Sequence, residues 1–374
     1  MSTEGQQGVS PAAGAPAGVR SIAPYRPGRP IGEVARELGL DPAGIVKLAS
    51  NENPLGMSPK AVAAAQQVLA GGARYPDANG HDLKQALARH YGVDAGWITL
   101  GNGSNDILEL AARALVGPGQ GMIHSRYAFI VYPLVAQAIG AVGIEVPDAD
   151  LGHDLAAMLA AITPETRMVF IANPNNPTGT FIPGDVLLRF LEQVPPQVAV
   201  VLDEAYTEYL APEQRYDALA WVKRFPNLIV SRTFSKAYGL AGLRVGFAVA
   251  QPALTDLMGR VRQPFNVNSA ALAAAEAVLD DADYLTRSYQ INREGRAQLV
   301  QAFEALGLEY VPSSGNFVLV KVGDAAGIND QLLRAGIIVR PVANYGLPEW
   351  LRVSVGLPEE NRAFIDALTK ILGQ

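Results

Sequence analysis

The alternation of short apolar runs with segments of helical periodicity is the feature that most constrains how this chain can fold. The runs are rich in β-branched residues and indicate strands; they are "WITL" (97–100), "GMIH" (121–124), "RMVFIAN" (167–173), "VAVVLD" (198–203) and "LIVSR" (228–232). Helices are predicted before and between them, after Ser58, Gly80, Ser104, Phe129 and Gly184. Because strands that alternate with helices are typical of a parallel sheet covered on both faces, the pattern predicts an α/β fold.

The C-terminal part of the chain has a different pattern, which predicts a smaller α+β domain. A long amphipathic helix is predicted after Asp281 to about Leu306, followed by "NFVLVKV", a helix from about Gly327, "GIIVR" and "WLRVSVG". With 374 residues, the chain also exceeds the roughly 250–300 residues that one core usually supports. We therefore expect an N-terminal arm (21–55), a large domain (56–275) and a small domain (276–374).

Composition excludes several classes of function. The net charge is −6 and no run of basic residues occurs, which argues against nucleic acid or an anionic membrane as the main partner. The chain contains no cysteine, and its four histidines show no ligand spacing, so neither a disulfide nor a metal site is expected. No apolar stretch is long enough to span a bilayer. Residues 1–20 predict a disordered tail rather than a signal peptide, so we expect a cytoplasmic protein.

Polar motifs follow the predicted strands, at the sheet edge where open α/β folds bind their ligands. Gly101 and Gly103 end the first strand, and Ser104 and Asn105 open a helix. Glycine lets backbone N–H groups approach an anion and a helix N-terminus adds partial positive charge, so a phosphate could bind there. An ordinary turn with Ser104 as the helix cap is the alternative.

The stretch "NPNNPTG" (173–179) directly follows the strand "RMVFIAN". Two Asn-Pro steps predict an extended, kinked loop whose asparagine amides can hydrogen-bond outward. We expect the Asn176–Pro177 peptide bond to be cis, because a tight turn is where that isomer is retained. A surface turn is the alternative interpretation of this stretch.

Two charged residues follow the next two strands. Asp203 ends an apolar strand, so burial disfavours its charged form unless a cation lies beside it; a helix cap is its alternative role. Lys236 follows the next strand, with Ser235 before it and Arg244 beyond. Pyridoxal phosphate requires a lysine for its Schiff base, a carboxylate at its ring nitrogen and donors around its phosphate. The combination predicts this cofactor, with Lys236 as the base that moves the substrate proton.

These motifs resemble those of a known family. The segment from Asn173 to Gly179, Asp203 with Tyr206, and "SKAYGLAGLR" are similar to the fold-type-I pyridoxal-phosphate aminotransferases of class I and II. Within that family, "LASNENPLGMS", "RYPDANG", "RTFSKAYGLAGLRVG" and "LRVSVG" most resemble histidinol-phosphate aminotransferases. The resemblance implies a large domain with a mostly parallel seven-stranded sheet between helices, and a smaller α+β domain. It also implies a homodimer with shared active sites, to whose interface and small domain the arm contributes.

The resemblance implies roles for individual residues around the cofactor. Lys236 matches the Schiff-base lysine, Asp203 the partner of the ring nitrogen, and Tyr206 with Asn176 the pair that bonds the phenolate oxygen of the ring. The residues that match phosphate-binding groups are Ser104, Asn105, Thr233, Ser235, Arg244 and, from the neighbouring subunit, Tyr75. An aromatic residue of "HSRYAFIVYP" is expected to cover the ring. Tyr127 is the best match for it, with Phe129 and Tyr132 as competing candidates.

The substrate anion is expected to meet arginine. In "WLRVSVG", strand alternation puts Trp350, Arg352 and Ser354 on one face. Arg352 matches the arginine that binds a carboxylate or phosphate bidentately. The matches to further groups around the substrate are Arg340, Tyr25 and Asn176.

The activity that the resemblance implies is reversible transfer of an amino group between L-histidinol phosphate and 2-oxoglutarate, in histidine biosynthesis. The products are imidazole-acetol phosphate and L-glutamate. An aromatic amino-acid aminotransferase and a threonine-phosphate decarboxylase of the same fold are the alternatives, because fold and cofactor do not decide the substrate. A regulator that binds the cofactor without turnover is a weaker alternative, since residues 1–20 cannot supply a DNA-binding module.

Overall fold

The computed structural model describes residues 10–24 and 27–373 of the chain. The α-helices in these ranges are α1 (Ala17–Ser21), α2 (Ile31–Leu38), α3 (Pro59–Leu69), α4 (His81–Tyr91), α5 (Ser104–Leu115), α6 (Val131–Ile139), α7 (Leu155–Ala160), α8 (Gly184–Leu191), α9 (Ala218–Trp221), α10 (Pro252–Val261), α11 (Ser269–Leu279), α12 (Ala282–Ala305), α13 (Ala325–Arg334) and α14 (Pro358–Ile371). Single 3-10 turns lie at Pro42–Gly44, Ala95–Trp97, Thr207–Tyr209, Pro212–Gln214, Ala241–Leu243 and Ala343–Tyr345.

The strands of the same ranges are β1 (Val46–Lys47), β2 (Ile98–Gly101), β3 (Gly121–Ser125), β4 (Val142–Val146), β5 (Asp148–Ala149), β6 (Gly152–His153), β7 (Thr166–Ala172), β8 (Ala199–Asp203), β9 (Leu228–Thr233), β10 (Gly246–Val249), β11 (Tyr310–Val311), β12 (Phe317–Lys321), β13 (Ile337–Ile338), β14 (Arg340–Val342) and β15 (Leu347–Ser354). All five strands predicted from apolar runs are confirmed as β2, β3, β7, β8 and β9. The helices predicted between them are confirmed as well.

The central sheet has seven strands in the order β2-β10-β9-β8-β7-β3-β4. The pairs from β9 through β8, β7 and β3 to β4 are parallel, whereas β10 runs antiparallel to both of its neighbours. The sheet is therefore mostly parallel, as expected. The sequence analysis missed β4 and β10. β4 is an edge strand that is mostly solvent-accessible, so it lacks the continuous apolar run that marks a buried parallel strand.

Both faces of this sheet are covered, because successive residues of its strands enter different cores. Val200 and Leu202 pack with residues of α3, α4 and α8 on one face. Val201, between them, packs with residues of α5, α6 and α10 on the other. A strand buried on both faces places its polar residues at its ends, which is where Asp203 lies.

A second sheet, in the order β11-β12-β15-β14, forms a separate core with α12, α13 and α14. Residue alternation in β15 is confirmed, since Leu351 and Val353 enter this core while Trp350 packs in another cluster. The arm joins this region: β1 pairs in parallel with β13, and Leu48 packs in the same core.

The expected boundary at residue 275 falls within a helix that packs on the large sheet. Helix α11 continues to Leu279, and its alanines pack against Ala61 and Ala65 of α3 in the core of the large sheet. The helical period of "SAALAAAEAVL" carries this contact past residue 275. Within the described residues, none of the helices combines the length and the hydropathy needed to cross a bilayer.

Candidate active site

A cavity of about 210 Å³ lies at the carboxyl ends of β7, β8 and β9. Residues from the second sheet and the arm close it from the other side. The predicted site residues that line the cavity are Ser104, Asn105, Asn176, Asp203, Tyr206, Thr233, Ser235, Lys236, Arg244, Arg340 and Arg352. The structure thus brings together side chains from five separate stretches of sequence.

Asp203 presents a buried carboxylate to the cavity. Its Oδ2 accepts a hydrogen bond from the Tyr132 hydroxyl at 2.9 Å. Its Oδ1 is also buried and has no partner in hydrogen-bond geometry among the described residues. Burial raises the pKa of Asp203 to about 6, although the bond from Tyr132 opposes the rise. A cation at Oδ1, such as a protonated ring nitrogen, would lower this pKa and stabilise the charged form.

Lys236 follows β9, the strand next to that of Asp203. Its half-buried side chain donates from Nζ to the carbonyl oxygen of Ser50 at 3.1 Å. Burial, and after it the charge of Arg352, lowers the pKa of Lys236 to about 7. A substantial fraction of the amine is therefore neutral near neutral pH, and a neutral amine is the nucleophile that attacks a carbonyl carbon.

A group of donors surrounds the N-terminus of α5. Helix α5 begins at Ser104, preceded by Gly103 at φ 83°, so Ser104 lies inside the helix and the alternative of Ser104 as a cap is wrong. A Cβ at Gly103 would displace the guanidinium of Arg244, and the positive φ of this residue also favours glycine. Nη1 of Arg244 donates to Ser235 Oγ at 3.2 Å. The helix N-terminus, a guanidinium and hydroxyls together form a site suited to phosphate.

Two arginines line the opposite side of the cavity. Arg340 of β14 and Arg352 of β15 are paired directly across the two strands. Arg352 is buried, and its guanidinium lies over the ring of Phe317. Its Nη1 donates to Asn176 Oδ1 at 2.5 Å, and its Nη2 donates to the Ala49 carbonyl oxygen at 2.8 Å. Like charges on facing positions repel each other, so an anion between them is favoured.

The proline-rich loop after β7 holds Asn176 in place. The Asn173–Pro174 and Asn176–Pro177 peptide bonds are both cis, the second as predicted. The amides do not all point outward, however. Asn173 bonds the Ile182 backbone and Asn175 bonds the Tyr127 carbonyl, so both close the loop, and Asn176 reaches the cavity.

The three aromatic candidates for covering the cofactor ring lie in different surroundings. Phe129 lines the cavity, whereas Tyr127 does not and packs near Tyr345 in another cluster. Tyr132, the third candidate, is buried against Phe170 with ring centroids 4.5 Å apart, and its hydroxyl donates a hydrogen bond to Asp203.

Of the other two predicted residues, Tyr75 does not line the cavity. Tyr75 is 81% exposed and stacks on Phe265 with ring centroids 4.5 Å apart. Tyr25 lies outside the described residues. Within the described part of the chain, no group of three or more acidic or histidine side chains is arranged to hold a metal ion.

The sequence analysis missed several residues of the arm that reach the cavity. They include Ser50, which accepts the bond from Lys236, and Asn51, whose Nδ2 donates to the Tyr206 hydroxyl at 2.9 Å. The polar run "SNEN" was a signal, since it directly follows the mostly apolar "IVKLA". Without a strand of the large sheet before it, nothing in the pattern connected this run to the site.

The comparisons with known proteins agree with this geometry. A family model described as aminotransferase class I and II matches residues 43–368. The chain belongs to this family. It is 66% identical over 360 residues to histidinol-phosphate aminotransferase 2 of Ralstonia nicotianae, covering 95% of this chain and 96% of that protein. It is 63% identical to histidinol-phosphate aminotransferase 1 of Cupriavidus pinatubonensis, covering 100% of both.

A solved structure supports the same conclusion for the fold. Histidinol-phosphate aminotransferase from Sinorhizobium meliloti in complex with pyridoxal-5'-phosphate is similar to this aminotransferase with a TM-score of 0.88 at 30% identity. The match covers 100% of this chain and 99% of that one. The predicted fold type I, with a mostly parallel sheet between helices, is confirmed.

Proposed function

We propose that this aminotransferase uses pyridoxal 5'-phosphate to transfer an amino group between L-histidinol phosphate and 2-oxoglutarate. The products are imidazole-acetol phosphate and L-glutamate, and the reaction belongs to histidine biosynthesis. The observation that carries the cofactor assignment is that Asp203 Oδ1, a buried carboxylate oxygen with no hydrogen-bond partner among the described residues, belongs to the same cavity as Lys236, which follows the neighbouring strand. The substrate assignment rests on the names of the full-length relatives.

The residues of the cavity fit each part of the cofactor. Asp203 would hold the proton on the ring nitrogen, and Tyr206 and Asn176 would bond the phenolate oxygen. The residues that would hold the phosphate are Ser104, Asn105, Thr233, Ser235 and Arg244. When bound, the cofactor withdraws electrons from the substrate α-carbon, which makes the proton there acidic.

The lysine has two roles in this proposal. Lys236 would hold the cofactor through a covalent bond, and its amine would accept the proton from the substrate α-carbon. Its pKa of about 7 suits both roles, because the amine can accept and release a proton near neutral pH. Burial is the main cause of this low pKa, so the residues packed around Lys236 lower the proton affinity of its amine.

Arg352 and Arg340 would hold the anionic end of each substrate in turn. Both 2-oxoglutarate and histidinol phosphate carry an anion, a carboxylate in one and a phosphate in the other. Because a guanidinium binds either of them bidentately, one pair of arginines can serve both half-reactions. Phe129, in place of Tyr127, would cover the cofactor ring from the side of α6.

The protein is further proposed to act as a cytoplasmic homodimer. Tyr75 and Phe265 are exposed aromatic residues stacked on each other, and an exposed aromatic pair is suited to contact a second subunit. In this arrangement Tyr75 would reach the phosphate of the neighbouring cofactor. The absence of cysteine is compatible with a reducing compartment.

The test is a coupled assay on the purified protein with 2-oxoglutarate as acceptor and histidinol phosphate or phenylalanine as donor. We expect histidinol phosphate to be preferred by kcat/KM. A preference for phenylalanine would assign an aromatic aminotransferase, and release of carbon dioxide from threonine phosphate would assign a decarboxylase. Size-exclusion chromatography with light scattering tests the dimer.

A further inference from the structure

Asn51, Ser354 and Tyr206 form a buried chain of hydrogen bonds that ends at the cavity. The backbone N–H of Asn51 donates to Ser354 Oγ at 2.8 Å. That hydroxyl donates to Asn51 Oδ1 at 3.0 Å, and Asn51 Nδ2 donates to the Tyr206 hydroxyl oxygen at 2.9 Å. The three residues come from the arm, the second sheet and the loop after β8.

The direction of each bond follows from the first one. A backbone N–H can only donate, so Ser354 accepts from it and directs its own proton to the amide oxygen of Asn51. This orients the amide, whose NH₂ group then faces Tyr206. With the amide turned round, Ser354 would face two donors and its proton would lose the acceptor that Oδ1 provides.

Tyr206 is therefore an acceptor on the side of Asn51. An amide NH₂ has no lone pair to offer, so the hydroxyl proton of Tyr206 has to point elsewhere. Tyr206 lines the cavity, and its ring lies 5.8 Å from Nζ of Lys236. The chain of bonds thus directs the proton of Tyr206 into the cavity, beside the lysine.

Asn51 is held firmly enough to impose this direction. It is 1% exposed, and its carbonyl oxygen accepts a bond from Asn316 Nδ2 at 2.9 Å. Its backbone has φ 54°, a left-handed conformation that asparagine tolerates better than most residues. Ser354 is also fixed, since its backbone N–H donates to the Leu48 carbonyl.

We infer that Asn51 and Ser354 are positioning residues that fix Tyr206 as a hydrogen-bond donor to the bound cofactor. The inference rests on the proposed function, in which the ring nitrogen lies at Asp203 and the phenolate oxygen lies beside the carbon joined to Lys236. A bond donated to that oxygen stabilises its negative charge, and this charge would otherwise hold a proton on the neighbouring nitrogen. Asn51 and Ser354 therefore lower the proton affinity of the lysine–cofactor linkage.

The test is a pH titration of the visible absorbance of the bound cofactor in Asn51→Asp. The substitution keeps the shape of the side chain but puts a carboxylate oxygen against Tyr206, which turns the tyrosine proton away from the cavity. We expect the apparent pKa of the titration to rise by about one pH unit, a tenfold change in proton affinity. An unchanged titration would overturn the inference.

Comparison with Tyr206→Phe separates this effect from that of the added charge. Tyr206→Phe has no hydroxyl to reorient. Adding Asn51→Asp to Tyr206→Phe should therefore shift the apparent pKa by less than half as much as Asn51→Asp does in the protein that keeps Tyr206. A shift of half or more would mean that the new carboxylate acts directly, and the inference would be wrong.

Two further results keep the test decisive. If Asn51→Asp does not retain the cofactor, Asn51→Gly is tested instead, because it keeps the left-handed backbone and removes the amide donor. We expect Asn51→Gly to raise the apparent pKa by less than one pH unit. No rise would overturn the inference. If the unaltered protein shows no cofactor absorbance that changes with pH, the proposed cofactor site itself fails, which is a different outcome.

Discussion

The two sides of the cavity are built in different ways and suit different tasks. The sheet side consists of Asp203, Lys236 and the N-terminus of α5, which lie at the ends of buried strands. The arginine side consists of Arg340 and Arg352 on two antiparallel strands of the second sheet. Burial brings the pKa values of Asp203 and Lys236 to about 6 and about 7. The sheet side is thus adapted to proton transfer, and the arginine side to anion recognition.

The largest effect is expected on the sheet side. Asp203→Asn keeps the shape of the side chain but cannot hold a proton on the ring nitrogen. We expect kcat to fall by about 10²–10⁴-fold, with little change in KM, because Asp203 does not contact the substrate anion. Steady-state kinetics measures both constants. Asp185→Asn, an exposed carboxylate of α8, is the control and should leave both unchanged. A fall in Asp203→Asn confined to substrate affinity would contradict the division of tasks.

On the arginine side, Arg352→Lys is expected to act mainly on KM. Lysine keeps the charge but lacks the planar guanidinium, which can hydrogen-bond to Asn176 and to an anion at the same time. A charged hydrogen bond contributes roughly 1.5–3 kcal/mol, so kcat/KM should fall by about 10–150-fold for both substrates. The matched control is Arg334→Lys on the exposed face of α13. If only one of the two substrates were affected, the arginine would not be shared between them.

The pH dependence of cofactor capture tests the low pKa of Lys236. Cofactor is added in excess to protein from which it has been removed, and the rate of the absorbance change is followed by stopped flow. Only the neutral amine attacks the aldehyde, so the rate should fall by about tenfold per pH unit below about 7 and level off above it. A rate that still rises tenfold per unit at pH 9 would show that Lys236 titrates as an ordinary lysine.

The smallest effect is expected for the ring-covering residue. An aromatic pair contributes about 0.5–1.5 kcal/mol beyond its buried area, so Phe129→Leu should weaken cofactor binding by about 2- to 10-fold. Tyr127→Leu is the matched comparison and should bind the cofactor normally, because Tyr127 lies outside the cavity. Equilibrium titration of the cofactor measures both. If Tyr127→Leu weakened cofactor binding more than Phe129→Leu did, Tyr127 would be the residue that covers the ring, as predicted from the sequence.

The same comparison explains how much of the site the sequence could predict. The sheet side follows from a general rule, since the ends of parallel strands meet at one edge and a polar residue after a buried strand is conspicuous. Asp203, Lys236 and the "GNGSN" turn were all found from such positions. The pattern of strands and helices likewise predicted the large α/β sheet, apart from β4 and the antiparallel β10.

The arginine side and the arm could not be found in that way. Arg340 and Arg352 face the cavity because β14 pairs with β15. Asn51 reaches it because β1 pairs with β13 and Leu48 packs in the core of the second sheet. The contacts of the arm connect residues about 300 positions apart, as between Asn51 and Ser354, and local periodicity in the sequence cannot indicate such contacts. A family resemblance supplied the two arginines, whereas Asn51 emerged from the structure alone.

The most direct test of the central claim is to locate the covalent bond to the cofactor. The protein is incubated with pyridoxal phosphate, reduced with borohydride to make the linkage permanent, and digested for mass spectrometry. We expect the added mass on the peptide that contains Lys236, and none in Lys236→Ala, which should also lose transamination. Modification of another lysine, or retention of activity without Lys236, would contradict the assignment.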